Sequence, residues 1–314
     1  MLTKSANNAQ KANHNAPFLH SLWIQKGVLS KKMTTFAQQN HKDNMSKKIL
    51  FISQEIAPFV PENQISTLGK AIPQLLQEAG NEIRTFHPKW GNINERRNQL
   101  HEVIRLSGMN IIIDETDHPL LIKVASLPST KLQVYFIDNE DFFLKRLGAC
   151  DKDGLEYNDN YERAVFFGRS VLETVKKLRW YPEVIVCQGW ISAIAPFLIK
   201  TIYKDEPAFN AAKVVTVLNK LDITKPMPER FPHFLAFRNV DVDTVNAYPL
   251  QYKQPVDVLK LALYFSDAAI VADSETDPEA IEFAKQQNYP IAYYTADGNL
   301  KEDAAQTESI IQQL

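Results

Sequence analysis

Lys48-Ile49-Leu50-Phe51-Ile52-Ser53-Gln54-Glu55-Ile56-Ala57-Pro58-Phe59 is a short, unbroken apolar run with lysines before it and a proline-bearing loop behind it. That pattern predicts a strand buried on both faces, as in a parallel sheet. Leu68, Ala71, Ile72, Leu75, Leu76 and Ala79 then recur at helical spacing, which predicts a helix from roughly Ser66 to Ala79 stopped at Gly80-Asn81. Glu82 to Pro88 reads as a second strand. The unit is strand-loop-helix-strand, the opening of a Rossmann-type sheet, where ligands sit at the carboxyl end of the strand against the helix N-terminus. The connecting loop, Pro61-Glu62-Asn63-Gln64, has no glycine, carries a carboxylate and loses one N–H to proline. Such a loop is unsuited to a nucleotide phosphate.

The chain of 314 residues is 45% hydrophobic, enough for a substantial core. A net charge of −2, with no basic stripe interleaved with aromatics, argues against nucleic acid as a partner. Cys150 and Cys187 form neither a disulfide framework nor a metal motif, and the seven histidines are not paired at metal spacing. No cofactor is expected. No apolar run reaches the roughly 20 residues that cross a bilayer, so no membrane partner is expected and a cytoplasmic protein is.

Residues 1–45 differ in kind. Up to residue 44 they hold six lysines against the single acid Asp43, and they are rich in Asn, Gln and Ser, which predicts a disordered basic extension. Met45-Ser46-Lys47-Lys48 reads as a natural start, with a transit peptide as the alternative, though the segment lacks arginine. Residues 46–314 are expected to form one folded domain. Within it, Val103 to Leu106, Ile111 to Ile113, Leu120 to Ala125 and Leu132 to Ile137 predict short strands, some antiparallel at a sheet edge. Asp159 or Asn160 would cap a helix from Tyr161 to Arg179, with Arg163 as their ion-pair partner. Val184 to Cys187 and Val214 to Asn219 read as buried strands, the first leading into a helix through Tyr203. Asp222 to Pro255, broken by five prolines, reads as a long loop. Val258 to Val271 gives a helix and strand, and Asp277-Pro278-Glu279 opens the last helix, followed by a segment near Ile291 to Tyr294 and a polar end.

These residues also carry a resemblance. Ile49 to Ser53, Glu55-Ile56-Ala57-Pro58-Phe59 and Gly69-Lys70-Ala71-Ile72-Pro73 resemble the opening of bacterial glycogen and starch synthases, retaining glucosyltransferases of the GT-B fold. Tyr135-Phe136-Ile137-Asp138-Asn139, Tyr157 to Asn160, Arg163, Phe166, Thr216 to Asn219 and the segment around Lys260 continue it. Several family motifs are altered. Pro61-Glu62-Asn63-Gln64 stands where the family has lysine-threonine-glycine-glycine, and Gln188-Gly189-Trp190-Ile191 where it has histidine-aspartate-tryptophan-histidine. Leu218 replaces a further histidine.

The resemblance runs from about Lys48 to Ala280 and implies a single GT-B lobe: a mostly parallel sheet with helices on both faces and some antiparallel edge strands. It leaves no counterpart of the family's second, nucleotide-sugar-holding domain. It implies substrate-facing roles for Glu55, Asp138, Asn139, Asp159, Asn160, Arg163, Trp190, Asn219 and Lys260, with no catalytic residue assigned. Capping and an ion pair explain Asp159, Asn160 and Arg163 without any ligand, and an aromatic at a strand-helix junction such as Trp190 is more often core. The implied function is glucosyl transfer from ADP-glucose to α-glucan, degenerate in an isolated half. The implied partners are α-glucan or maltooligosaccharide and a separate donor-domain subunit. The alternative is a non-catalytic glucan-binding or regulatory module that kept the fold.

Overall fold

The computed structural model describes residues 46–314 apart from 129 and 131; the extension expected over residues 1–45 otherwise lies outside the described residues. Strand β1, Lys48–Ser53, is buried at every position after Lys48. Ile49, Leu50 and Ile52 are fully enclosed, each side chain contributing roughly 1.5–3 kcal/mol of apolar burial. Helix α1, Gln64–Glu78, begins two residues earlier than its periodicity suggests. The reason is local: Asn63 accepts from the Ser66 backbone N–H at 2.8 Å while Ser66 Oγ accepts from the Asn63 N–H at 2.9 Å, a reciprocal cap. Past its end, Gly80 takes φ +110° and Asn81 turns the chain into β2, Glu82–Pro88, parallel to β1.

The next strands are β3, His101–Glu102, β4, Met109–Ile113, β5, Thr116–Ser126, and β6, Gln133–Asp138. β5 pairs antiparallel with β4 along Thr116–Leu120 and with β6 along Leu121–Ser126, while β6 runs parallel to β2. The strand expected at Val103 to Leu106 is instead a turn, closed by Leu106 N–H donating to the Val103 carbonyl. Ile104 there is 83% exposed while Leu106 is 1% exposed and Val103 packs against the core, so the buried side chains fall three residues apart, as in a turn, and do not alternate as along a strand.

Helix α2, Asn160–Leu178, leads to β7, Val184–Gln188, parallel to β1 on the side opposite β2. A single helical turn at Trp190–Ser192 and the short helix α3, Ala195–Lys200, replace the continuous helix expected through Tyr203. Then come β8, Lys213–Leu218, helices α4, Phe231–Leu235, and α5, Val242–Asn246, and α6, Val256–Tyr264. The proline-rich loop expected from Asp222 to Pro255 therefore contains two helical turns. Pro232 suits the start of one, and Asp241 caps the other by accepting from Thr244 N–H at 2.8 Å. β9, Ala268–Val271, α7, Pro278–Gln286, and β10, Ile291–Tyr293, follow.

The sheet order is β10-β9-β8-β7-β1-β2-β6-β5-β3. The chain steps one way from β1 to β2 and the other way from β6 through β7 to β10. Right-handed crossovers then put α1 on one face and α2, α3, α6 and α7 on the other. The polar end is not a tail but helix α8, Leu300–Gln313, packed against α1. Its Ile310 and Ile311 are buried, and Lys47 Nζ donates to the Ile311 carbonyl at 2.9 Å. Its apolar face, with Ala304, Ile310 and Ile311, is narrow enough to pass as polar in composition.

Two changes test this packing. A methyl on Gly69 would lie 2.2 Å from the Glu55 carbonyl oxygen, so Gly69→Ala should destabilise by about 1–3 kcal/mol in urea unfolding. Ile311→Ala should cost about 2–5 kcal/mol in the same measurement, whereas a solvated helix end would lose almost nothing.

Candidate functional site

In open α/β sheets the ligand crevice lies beyond the carboxyl ends of the strands, where the order of connection reverses. Here that point falls between β1 and β7. Just beyond it, Gln54 joins the loops that leave three strands. Its backbone N–H donates to the Gln188 carbonyl at 3.0 Å, and its Oε1 accepts from Trp190 N–H at 3.1 Å. Its Nε2 donates to Asp222 Oδ2 at 2.6 Å, and its carbonyl accepts from Trp90 Nε1 at 3.0 Å. Gly189 makes this possible: its φ is +84°, and a Cβ there would stand 2.4 Å from Gln54 Oε1.

On this scaffold opens a cleft of about 510 Å³ lined by Glu55, Asn63, Lys220, Asp222, Asp273 and Glu275, with the Leu147–Cys150 loop as its far wall. Four carboxylates face one cation. Lys220 Nζ is itself engaged by Glu275 Oε2 at 2.5 Å. Burial, reinforced by Asp222 and opposed by the hydrogen bond from Asn63 Nδ2, holds the Glu55 carboxyl above its usual value. Burial likewise raises Asp222, against the hydrogen bond from Gln54 and the charge of Lys220. At the N-terminus of α1, where an anion would dock, the Asn63–Ser66 cap already takes up the Ser66 and Asn63 N–H groups. The arrangement accepts hydrogen bonds from neutral polyols and repels phosphate.

The sequence-predicted residues divide sharply. Glu55 lines the cleft. Asn219, at the carboxyl end of β8, is 2% exposed, and neither its amide oxygen nor its amide nitrogen has a hydrogen-bond partner, so the pair is left for a ligand or water. Asp138 is buried and ion-paired to Lys123 at 2.7 Å, and Lys123 also holds Glu95 at 2.6 Å. Asn139 caps the turn Glu140–Leu144, accepting from Asp141 and Phe142 N–H, and donates to the Pro119 carbonyl at 2.7 Å.

The expected cap of α2 is corrected. Asp159 occupies the cap position but makes no cap hydrogen bond, pairing instead with Arg146 at 3.0 Å. Asn160 lies inside the helix, donates to the Ala149 carbonyl at 3.0 Å and accepts from Arg163 at 2.7 Å. Arg163 forms no ion pair with Asp159. Its fully buried guanidinium, pulled down to about 10 chiefly by burial, donates to the carbonyls of Phe142 at 3.0 Å and Gly148 at 2.8 Å. Arg163 and Asn160 thus brace the cleft wall from behind, because the backbone they hold belongs to the loop whose front faces the cleft.

Trp190 is 2% exposed, so its ring packs in the core and is not free to stack on a sugar. Lys260 pairs with Glu279 at 2.8 Å in a separate groove behind the segment Lys220–Ile223. Asp222, Lys220, Asp273 and Glu275 were not singled out from sequence. Each lies within four residues of the carboxyl end of β8 or β9, a position that marks the ligand side of any such sheet. Among the described residues no cluster of three or more His, Cys, Asp or Glu could hold a metal, and no helix is long and apolar enough to cross a membrane.

A family model described as the starch synthase catalytic domain matches residues 48–287. The glycogen synthase of Chlorobium luteolum is 38% identical over 174 residues, covering 55% of this chain and 35% of that protein. That of Chlorobaculum tepidum is 37% identical over 176 residues, 55% of this chain and 36% of that protein. The chain therefore spans about a third of the length of these relatives. The catalytic domain of starch synthase IV from Arabidopsis thaliana, bound to ADP and acarbose, superposes with a TM-score of 0.62 at 16% identity, covering 79% of this chain and 51% of that one. That likeness establishes the α/β lobe, and the match over residues 48–287 places this chain in the starch synthase catalytic domain family, among glycogen and starch synthase-like proteins.

Proposed function

We propose that this lobe is the carbohydrate-facing half of a glycogen or starch synthase-type site and binds α-glucan or maltooligosaccharide in the cleft between Glu55 and Asp222. The carrying observation is the cleft's composition: four carboxylates, which suit sugar hydroxyls, beside a single cation already paired. Charge-assisted hydrogen bonds from hydroxyls to Glu55 and Asp222 give orientation without drawing in an anion. The acarbose in the starch synthase IV structure, an oligosaccharide analogue, supports the same ligand class.

By itself the lobe is catalytically silent toward ADP-glucose. Expelling a diphosphate requires donors or cations aimed at the departing oxygens, and losing one such group commonly costs about 10²–10³ in rate. Here the helix N-terminus is capped and Lys220 is committed to Glu275. Those cations would come from a donor half, on a separate subunit or a covalently joined one. A cytoplasmic location goes with this reading, and both cysteines are free thiols, as a reducing compartment keeps them.

Maltoheptaose should raise the melting temperature saturably, and the protein should be retained on amylose resin. It should incorporate no labelled glucose from ADP-glucose into glycogen. Absence of any shift or retention would sink the binding reading, and robust incorporation would sink the silence.

The raised carboxyls give a second test. A carboxyl whose folded value lies above its unfolded one binds protons more tightly in the native state. The stabilisation is complete below the unfolded value, 4.5 for a glutamate, and is lost as pH rises through the folded value. Glu55→Gln should therefore raise the melting temperature at pH 7, with the gain fading below about pH 4, while weakening maltoheptaose binding. A fall in melting temperature at pH 7 would contradict it.

A further inference from the structure

Beneath α2, away from the carboxyl ends of the strands, lies a buried cation with no counter-ion. Arg169 is 1% exposed. Its Nη1 donates to the Ile112 carbonyl of β4, and its Nη2 to the carbonyls of Phe234 at 2.9 Å and of Leu235 and Ala236 at 3.1 Å each, the carbonyl end of α4. Its Nε is buried with no hydrogen-bond partner, and its guanidinium lies 4.5 Å over the Phe237 ring. Burial lowers its pKa to about 10, which still leaves it charged at neutral pH.

No carboxylate offsets that charge. Glu173, one turn along the same helix, is shared among Tyr203 OH at 2.9 Å, Arg238 at 3.1 Å and Lys176 at 3.3 Å. Glu206 serves Lys176 at 2.7 Å and Arg238 at 3.6 Å. Three cations thus meet two carboxylates, a local surplus of one positive charge, and a buried unpaired charge is costly unless something neutralises it.

Arg169, Glu173 and Arg238 line a cavity of about 320 Å³ whose other walls include Met109, Ile111, Tyr203 and Phe237. None of its lining residues belongs to the carbohydrate cleft. The volume is at the lower end of ligand cavities, roughly 300–1,000 Å³. Apolar and aromatic walls beside a positive surplus favour an amphiphilic anion over a fully hydrated inorganic one. We propose that this cavity binds a small organic carboxylate with an apolar or aromatic body, its head group at Arg169 and Arg238 and its body against Phe237 and Tyr203. This site stands independently of the carbohydrate reading.

Benzoate is the probe, titrated by calorimetry into the full chain beside neutral benzamide, inorganic phosphate and maltoheptaose. Benzoate should bind saturably in the millimolar range or tighter, with benzamide and phosphate each at least about tenfold weaker. Arg238→Gln, a change at a half-exposed side chain, should weaken benzoate by about tenfold or more, the loss of one charged hydrogen bond. Maltoheptaose should leave benzoate affinity unchanged. The proposal fails if benzoate does not saturate, if benzamide or phosphate binds as well, if Arg238→Gln binds benzoate like the parent, or if maltoheptaose competes.

Discussion

One glutamine holds the ligand side of the sheet together. Gln54 spends its backbone and side-chain polar groups on three different segments, tying the end of β1 to Gln188 and Trp190, to Asp222 and to Trp90. A buried amide that is fully satisfied fixes geometry more firmly than apolar contact does, because any displacement leaves a donor or acceptor stranded. Gly189 is the other half of the constraint, since only a residue without Cβ fits against Gln54 at φ +84°. The position of Asp222 in the cleft, and with it the spacing of the two raised carboxyls, follows from that bond.

The residues shared with the family have here become largely architectural. Arg163 and Asn160 reach the carbonyls of Gly148 and Ala149 from behind the cleft wall, Asn139 caps a turn, and Asp138 anchors Lys123. A polar motif held this way keeps the cleft's outline while contributing nothing to its front. What remains at the front is acidic: Glu55, Asp222, Asp273 and Glu275 around one paired lysine. The fold is that of the starch synthase catalytic domain family, and the charge of the cleft is opposite to what a diphosphate needs.

The same helix that braces the cleft, α2, carries Arg169 two and a half turns below Asn160 and so runs from an acidic cleft to a cavity with a positive surplus. At the upper end Arg163 Nε and Nη1 and the Asn160 amide engage loop carbonyls; at the lower end a guanidinium surplus is left over beside a small cavity. Both arginines are buried without ion pairs and are held by main-chain carbonyls, a solution that pairs most of their donors, Arg163 Nη2 and Arg169 Nε excepted, and leaves net charge in place.

The sequence by itself determined the sheet. Continuous apolar runs at Ile49 to Ser53, Val184 to Cys187 and Val214 to Leu218 can only be strands covered on both faces, and their spacing required helices between them. It also carried, from residue types alone, the expectation that the loop after β1 does not cradle phosphate. Only the tertiary structure decided which polar residues line the cleft and which lie behind it. Asp159, Arg163 and Trp190 were indistinguishable in sequence from site residues, because a buried hydrogen bond and a solvent-facing one use the same side chains. Asp222, Asp273 and Glu275 were equally hidden, for the converse reason: a carboxylate in a loop acquires meaning only when three strand ends bring it beside another. The helix α8 escaped for a third reason. Its apolar face is too narrow to stand out in periodicity, and it is a helix of the domain because α1 offers it a surface to bury.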